Sequence, residues 1–454
     1  MKAIAILLAS LVSLVTTAPA QSGAQLKQEL KAKEAAAKQN PDALFEAGKW
    51  AAEKSMPSEA KRIYQAVLKI KADHEGANLA LGNELIEGKW LPAKEAEALR
   101  KKAQAAEFAA KGFVDVGGVW VDKAEVEDAK KGIFHHEGEL VTKDEKVALV
   151  SGRVRHPVTG EFVDARQLEQ ASKRYFPVAN NRLADEKEAD TFHSDFKRPW
   201  VVRSKRATLI STLPIAKLEA LAAEADHAVE DVEPILGTPT VHPKNRAVVL
   251  VATTDTEYRD FGARFGDENS SHGACLIQPK AVVQVPFLGD VRAAMCRNEK
   301  DWGIRYVRHA TAMSYVHGVC VEAGEDLPLW LLHGVAACTS RLKTGEDRGH
   351  FGKIHLAKGG IRNLKGFFSG FGINGEMEST AIDAVIFQAG LLVYYAKEGS
   401  DTKATDLLKE VFSTLLSGTG KKGALQKVVA RFEAALIEAE PNIADYLKKL
   451  TSTG

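Results

Sequence analysis

The sequence predicts an α+β protein with a helical N-terminal region, a series of short modules and a larger mixed domain. Apolar residues recur three and four positions apart after Pro41, as on one face of a helix. A short glycine-and-aromatic pattern repeats between residues 87 and 176. From about Phe192, strand-like apolar runs come first and helical periodicity dominates after Trp302. Strands followed by helices are the order typical of α+β domains.

Composition indicates a soluble globular chain of two or three domains, since 45% of its 454 residues are hydrophobic and 27% are charged. Lys and Arg total 61 against 60 Asp and Glu, which gives a formal net charge of +1. A nucleic-acid binder needs a basic excess to neutralise phosphates, so we expect no nucleic-acid partner. The local run Arg203-Ser-Lys205-Arg206 could meet a polyanion, although such runs are more often solvated faces.

Residues 1–20 have the pattern of a signal peptide. Lys2 supplies the positive charge, residues 3–17 are apolar, and Ala18-Pro19-Ala20 places small residues before a cleavage site at Gln21. The apolar run is shorter than the roughly 20 residues that span a bilayer. We therefore expect a periplasmic or secreted protein with no transmembrane anchor after cleavage.

The four cysteines lie close together in the sequence, and export makes disulfides plausible. Proximity alone favours pairing Cys275 with Cys296 and Cys320 with Cys338. Three connectivities are possible, and buried free thiols are the alternative. Nothing in the sequence favours a Cys/His nucleophile.

The N-terminal region divides into residues 21–40, a linker or exposed helix, and residues 41–108, a helical region. Two copies of a pattern are offset by 34 residues, pairing Ala43 with Ala77, Ala47 with Leu81 and Gly48 with Gly82. The offset resembles the tetratricopeptide repeat over about one and a half repeats. The resemblance implies packed helical hairpins, but too few of them to form a concave peptide groove.

Short modules follow, with their domain assigned to residues 109–180. Four copies of the pattern are visible, at Gly88-Lys-Trp90, Gly118-Val-Trp120, Gly138-Glu-Leu140 and Gly160-Glu-Phe162. The last three are followed by Asp or Thr three residues before Glu or Gln, which is the spacing of a helix capping box. Each unit should be a short strand or turn followed by about two helical turns. A spacer or adhesion role is the simplest interpretation.

The last predicted domain covers residues 190–450. Its expected elements are a strand at Trp200-Val-Val-Arg-Ser, a helix from Pro214 to Leu236 closed by Gly237, a buried strand at Ala247–Ala252, a strand at Ala281–Phe287, and helices after Trp302.

Two segments of the helical half carry the most specific signal. One runs from Arg308-His309-Ala310 to His317, and the other is Leu327-Pro-Leu-Trp330-Leu-Leu-His333-Gly334-Val-Ala. Together they resemble the peptidase MA-like (gluzincin) zinc metallopeptidases. In that family one helix carries His-Glu-x-x-His and the next begins Trp-Leu-x-Glu-Gly-x-Ala. The resemblance covers roughly residues 192–397 and implies a mixed sheet, a helical half and a zinc-dependent peptidase site.

The chemical positions of that motif are largely changed here. The first metal-binding His falls on His309, the general base on Ala310, the second His on Met313, and the third-ligand Glu on His333. Alanine cannot accept a proton, and a thioether is a poor zinc ligand. His317 lies about 80° around the helix from His309, which disfavours a shared metal. The sequence therefore predicts no catalytic residue and no assured metal ligand, with zinc still conceivable at His309 and His333 and ordinary interior histidines as the alternative.

Two functional hypotheses follow. The first is an exported, catalytically degenerate peptidase-like protein that binds a protein or peptide partner as a non-enzymatic scaffold. The alternative is an active zinc metallopeptidase, a hydrolase with a rearranged metal site. The glycine-rich run at residues 358–375 is predicted to be a loop, either over a cleft or on the plain surface. The sequence leaves the oligomeric state open.

Overall fold

The computed structural model describes residues 23–179, 182–265, 274–276, 283–285, 288–300, 302–361, 363–373, 377–399, 401–418 and 423–452. The chain divides into two compact units, residues 1–113 and 114–454. The predicted signal peptide lies outside the described residues.

The first unit is helical except for one hairpin. Its elements are α1 (Gly23–Ala37), α2 (Pro41–Glu53), α3 (Pro57–Ile70), α4 (Glu75–Ala80), β1 (Asn83–Ile86), β2 (Lys89–Pro92) and α5 (Ala93–Ala110). Asn40 caps α2 by accepting from the backbone N–H groups of Asp42 and Ala43. The segment predicted to be a linker or exposed helix is helix α1, and it buries Leu30 and Ala37.

The two copies of the 34-residue pattern diverge in structure. Gly48 lies in the middle of α2, where the ring of Tyr64 approaches so closely that a Cβ would be 2.5 Å from it. Gly82, its counterpart, has a φ of +75° and follows the six-residue helix α4. The second copy therefore gives way to the β1–β2 hairpin instead of completing a helical pair.

The predicted modules are β-hairpins followed by short helices. Their elements are β3 (Val114–Val116), β4 (Val119–Val121), α6 (Val126–Lys130), β5 (Phe134–His136), β6 (Glu139–Val141), α7 (Lys143–Val150), β7 (Arg153–Arg155), β8 (Phe162–Asp164), α8 (Leu168–Ser172), β9 (Phe176–Val178), β10 (Arg182–Ala184) and α9 (Glu186–Phe192). Glu137 and Gly138 both have positive φ, as a tight hairpin turn requires. Capping boxes form at Thr142 and Asp164, whereas Asp122 makes no side-chain cap.

Sequence patterns missed the last module, β9–β10–α9. It carries Asn180-Asn181 where the other copies carry glycine, so the search pattern did not match. Its helix start follows the same rule as the others, because Asp185 accepts from the N–H of Glu188 at 2.9 Å.

A mixed sheet opens the larger domain. Its strands are β11 (Trp200–Arg203), β12 (Ala207–Ser211), β13 (Ala247–Ala252), β14 (Ala274–Leu276) and β17 (Ala294–Arg297), and β15 (Val283–Val285) pairs separately with β16 (Gly289–Val291). The order is β11-β12-β13-β17-β14, with β12, β13 and β17 parallel and both outer strands antiparallel. The predictions at Trp200 and Ala247 are confirmed. The strand predicted at residues 281–287 is confirmed over Val283–Val285, but it lies in the separate hairpin, and its other residues are not described.

Helices complete the domain and confirm the α+β class. They are α10 (Ile215–Leu236), α11 (Asp255–Phe265), α12 (Gly303–Ala323), α13 (Leu329–Ser340), α14 (Gly345–Ala357), α15 (Leu364–Gly370), α16 (Ser379–Lys397), α17 (Thr402–Ser417), α18 (Ala424–Glu438) and α19 (Glu440–Ser452). One apolar core joins the sheet to α10, α12, α13 and α16. Gly334 lets α13 approach α16, since a Cβ there would lie 2.8 Å from the carbonyl oxygen of Ala389.

Among the described helices, α16 is long and apolar enough to cross a membrane. Its most apolar stretch is 67% buried within the fold. A core helix meets the same criteria of length and composition, so this finding alone assigns no membrane role.

Neither predicted disulfide forms. Cys296, Cys320 and Cys338 are free thiols, and the side chain of Cys275 lies outside the described residues. Proximity in sequence misled the prediction, because these residues belong to different elements of a packed core. Cys338 faces α16, with its Sγ 3.7 Å from the carbonyl oxygen of Gly390, and Cys296 lies on a central strand.

Candidate functional site

The two histidines singled out by the sequence meet in the core. His309 lies on α12 and His333 is the fifth residue of α13, and these helices pack side by side. Nε2 of His309 is 3.1 Å from Nδ1 of His333, so the two imidazoles share a direct hydrogen bond. Their exposed fractions are 0% and 4%. One ring must donate and the other accept, because two N–H groups facing each other would repel.

The other ring nitrogen of His309 is also engaged. Its Nδ1 lies 3.0 Å from Oγ of Ser340, a hydroxyl that is itself 3.0 Å from the carbonyl oxygen of Ala336. The same nitrogen is 3.4 Å from Nη1 of Arg341. His309 is therefore held at both nitrogens by neighbouring groups of the fold.

Arg341 brings a buried positive charge into this cluster, which the sequence analysis missed. Its side chain is 2% exposed, and Asp383 on α16 accepts from Nη2 at 2.8 Å and from Nε at 3.2 Å. The guanidinium also lies over the ring of Phe351, 5.6 Å from its centre. The only signal in the sequence was a charged residue, Arg341, directly after the apolar sequence of α13. That signal could not show that Asp383 is its partner.

A second buried arginine ties the helices of the site together. Arg308 donates from Nε to the carbonyl oxygen of Thr339 at 2.6 Å and from Nη1 to Glu224 at 2.8 Å, and it also pairs with Asp231. These contacts connect α12 to α10 and α13. The side chain next to His309 thus holds α12 against α10 and α13.

The remaining motif positions are core residues. Ala310 and Met313 are 0% and 1% exposed and belong to the large apolar core. His317 faces another small cavity, with Ser314 and Arg292. Burial, with help from Arg292, lowers the pKa of His317 below its usual range.

The donor set does not fit a catalytic zinc ion. Such a site needs three protein ligands and a metal-bound water. His309 and His333 are bonded to each other, and no group of three or more His, Cys, Asp or Glu residues in the described part of the chain is placed to hold a metal. The guanidinium of Arg341, 3.4 Å from His309, would also repel a divalent cation.

The glycine-rich run predicted to be a loop is partly helical, since α15 occupies Leu364–Gly370. Phe368 packs against Trp330 with ring centres 4.8 Å apart, and Phe371 lies 5.7 Å from the ring of His333. The segment therefore packs against the start of α13, beside the histidine pair.

Comparison with protein-family models and with curated proteins finds no match to this chain. The function is therefore proposed from the geometry of the site and from the predicted resemblance, which Trp330, Leu331 and Gly334 carry on α13.

Proposed function

We propose that this protein is an exported, catalytically degenerate peptidase MA-like protein that binds a protein or peptide as a non-enzymatic scaffold. The direct hydrogen bond between His309 and His333 carries the proposal. It occupies ring nitrogens that a metal would need, inside a cluster whose charges are balanced by the pair of Arg341 and Asp383.

Peptide hydrolysis by the route of the resembled family needs a metal-activated water and a base. The base position is Ala310, which is fully buried and has no proton acceptor in its side chain. Met313 is core packing on the same helix. Loss of the base and of one ligand together favours loss of hydrolysis over a variation of it.

The order of elements supports the resemblance. A mixed sheet precedes α12, which carries His309, and α13 follows with Trp330 and Gly334. Gly334 permits the close contact of α13 with α16, which is a structural reason for that part of the motif to persist without its chemistry. The sequence of residues 1–20 supports export.

Cys320 and Cys338 offer no alternative nucleophile. Burial raises the pKa of Cys320 and of Cys338 to about 12, so both thiols are protonated at neutral pH. A reactive cysteine needs the thiolate, which is favoured by nearby positive charge and partial exposure. These thiols instead fill space between helices.

Elemental analysis for zinc on the purified mature chain, beginning at Gln21, tests the proposal. The set comprises the wild type, the double variant His309→Ala/His333→Ala, and a matched control, His227→Ala, at an exposed histidine of α10. We expect near-zero zinc in all three after incubation with the metal, and no cleavage of a mixed peptide library by the wild type.

Stoichiometric zinc in the wild type and the control, lost in the double variant, would overturn the proposal. The alternative of an active metallopeptidase with a rearranged site would then be favoured, and the peptide library would identify its cleavage preference.

A further inference from the structure

Two adjoining cavities, of about 400 and about 450 Å³, open on the larger unit, and their lining includes neither His309 nor His333. Both are lined by Glu139, Leu140, Lys205, Arg206 and Arg246, so they form one continuous cleft. Arg155 and Arg203 add two further cations to the first cavity. We call the whole the basic cleft.

The turn between β11 and β12 supplies part of this charge. Asp226 on α10 accepts from Oγ of Ser204 at 2.6 Å and from the backbone N–H groups of Lys205 and Arg206 at 3.2 and 2.8 Å. These bonds fix the turn from the inside. The side chains of Lys205 and Arg206 can therefore line the cleft, and the basic run noted in the sequence becomes one wall of it.

A single buried carboxylate serves two of the arginines. Oε1 of Glu145 accepts from Arg155 at 3.1 Å and from Arg203 at 3.3 Å. Its other oxygen accepts from the backbone N–H of Thr142 at 2.9 Å, completing a capping box. Glu145 thus cannot neutralise both guanidinium groups.

The remaining cations are unequally matched. Arg206 pairs with Glu233 at 2.8 Å, but neither Lys205 nor Arg246 forms an ion pair with any carboxylate in the described part of the chain. Arg246 is half-buried, and burial lowers its pKa below the usual range. Glu139 and Glu145 lie near enough to favour the charged form of Arg246, but a half-buried guanidinium without a direct ion pair is further stabilised when a ligand supplies an anion.

One wall of the second cavity has backbone that belongs to neither a helix nor a strand. Gly237, with a φ of +86°, ends α10, and residues 238–241 then run without helix or strand structure beside Arg246. Thr238 and Thr240 are exposed, and within the described residues their backbone N–H groups make no hydrogen bond to another backbone group. An extended peptide can pair with such a segment through its main chain.

We propose that the basic cleft binds an acidic peptide segment, whose side-chain carboxylates meet Arg246 and Lys205 while its backbone lies along residues 238–241. This inference rests on the proposed function and deepens it, since it names the class of peptide and its place. A nucleic acid fits less well, because only two cations of the cleft lack an ion pair in the described residues and the net charge of the chain is +1, whereas a nucleic acid presents a continuous row of phosphates.

Fluorescence anisotropy with a labelled nonapeptide of alternating Glu and Ser residues tests the proposal against the same peptide with Gln in place of Glu. The proteins are the wild type, Arg246→Gln and Lys205→Gln, with Arg431→Gln on α18 as the matched control. A charge-assisted hydrogen bond supports an expected loss of affinity of about tenfold or more for Arg246→Gln. Lys205→Gln, at an exposed lysine, should lose a few-fold, and the control should lose nothing.

Equal affinity of the wild type for the Gln peptide, or unchanged affinity of Arg246→Gln for the Glu peptide, would overturn the proposal. Inorganic phosphate that binds the wild type where the Glu peptide does not would also overturn it, in favour of a small-anion site. Failure of the peptide to bind leaves the zinc result of the histidine pair untouched, and zinc at that pair would leave peptide binding to the cleft untouched. The two failures are therefore distinguishable.

Discussion

The histidine pair and the basic cleft are two clusters of nitrogen-bearing side chains that differ in how far the fold itself supplies their hydrogen-bond and ion-pair partners. At the pair, His309 and His333 bond to each other and Arg341 meets Asp383, all in the core. In the cleft, neither Arg246 nor Lys205 forms an ion pair with a carboxylate of the described residues, although Glu139 and Glu145 favour the charged form of Arg246. Partners inside the fold favour a stabilising role for the first cluster, whereas the cations without an ion pair support the proposal that the second binds a ligand.

The difference shows why motif positions alone are a poor guide to the active part of this molecule. The pair lies where the resemblance predicts the metal ligands, yet its polar atoms form hydrogen bonds to other residues of the core. The cleft includes Leu140 of a repeated module and the basic run at residues 203–206, neither of which indicated chemistry, and it holds cations without an ion pair in the described residues. Function depends on the site that remains open to a ligand.

Of the changes predicted to test this comparison, Arg341→Met should cause the largest effect, a loss of folding stability. It leaves Asp383 partly buried without its cation, and breaking a buried pair from one side costs about 3–5 kcal/mol of stability. Urea unfolding of the mature chain measures the loss.

Arg431→Met is the control, because Arg431 pairs with Glu410 in the open, with side chains 61% and 41% exposed. Such a surface pair is worth about 0–1 kcal/mol. Equal losses of unfolding free energy in both variants would show that the ion pair of Arg341 and Asp383 stabilises the fold no more than a surface pair does.

A second prediction concerns His355 on α14, another histidine of the same core. Burial lowers its pKa to about 4 from the ordinary 6.5, although the backbone of Ala384 opposes the shift. The unfolded chain takes up the proton below pH 6.5 and the folded chain only near pH 4, so stability should fall as pH drops through this window. The full shift corresponds to about 3 kcal/mol.

His355→Phe should flatten that part of the stability curve measured by urea unfolding between pH 7 and pH 4. His227→Phe, at an exposed histidine, should leave the slope as in the wild type. An unchanged slope in His355→Phe would assign the acid sensitivity to other groups.

Sequence patterns predicted the elements better than the contacts between them. The run Ala247–Ala252 is uninterruptedly apolar and is a central strand, and Gly237 ends α10 as expected. Pairing of Arg341 with Asp383 joins residues 42 positions apart, which no local pattern contains. The disulfides failed for the same reason, since closeness along the chain does not determine which faces of α12 and α13 meet.

The basic cleft illustrates this limit from the other side. The run from Arg203 to Arg206 was visible in the sequence, but only as a basic patch in which all the cations looked alike. Only the fold distinguishes the two residues. Arg203 and Arg155 both bind Glu145, whereas Lys205 has no ion pair in the described structure.

The smallest predicted effect is that of removing the charge of Glu139 from the basic cleft. This exposed carboxylate lines both cavities and favours the charged form of Arg246. Glu139→Gln should raise the affinity for the acidic peptide by about two- to threefold at low salt, because an unfavourable charge is removed from the cleft, and the gain should shrink as salt is added. Stability should change by less than about 0.5 kcal/mol. Glu127→Gln, an equally exposed change outside the cleft, is the control, and weaker peptide binding in Glu139→Gln would mean that the cleft does not recognise its ligand by negative charge.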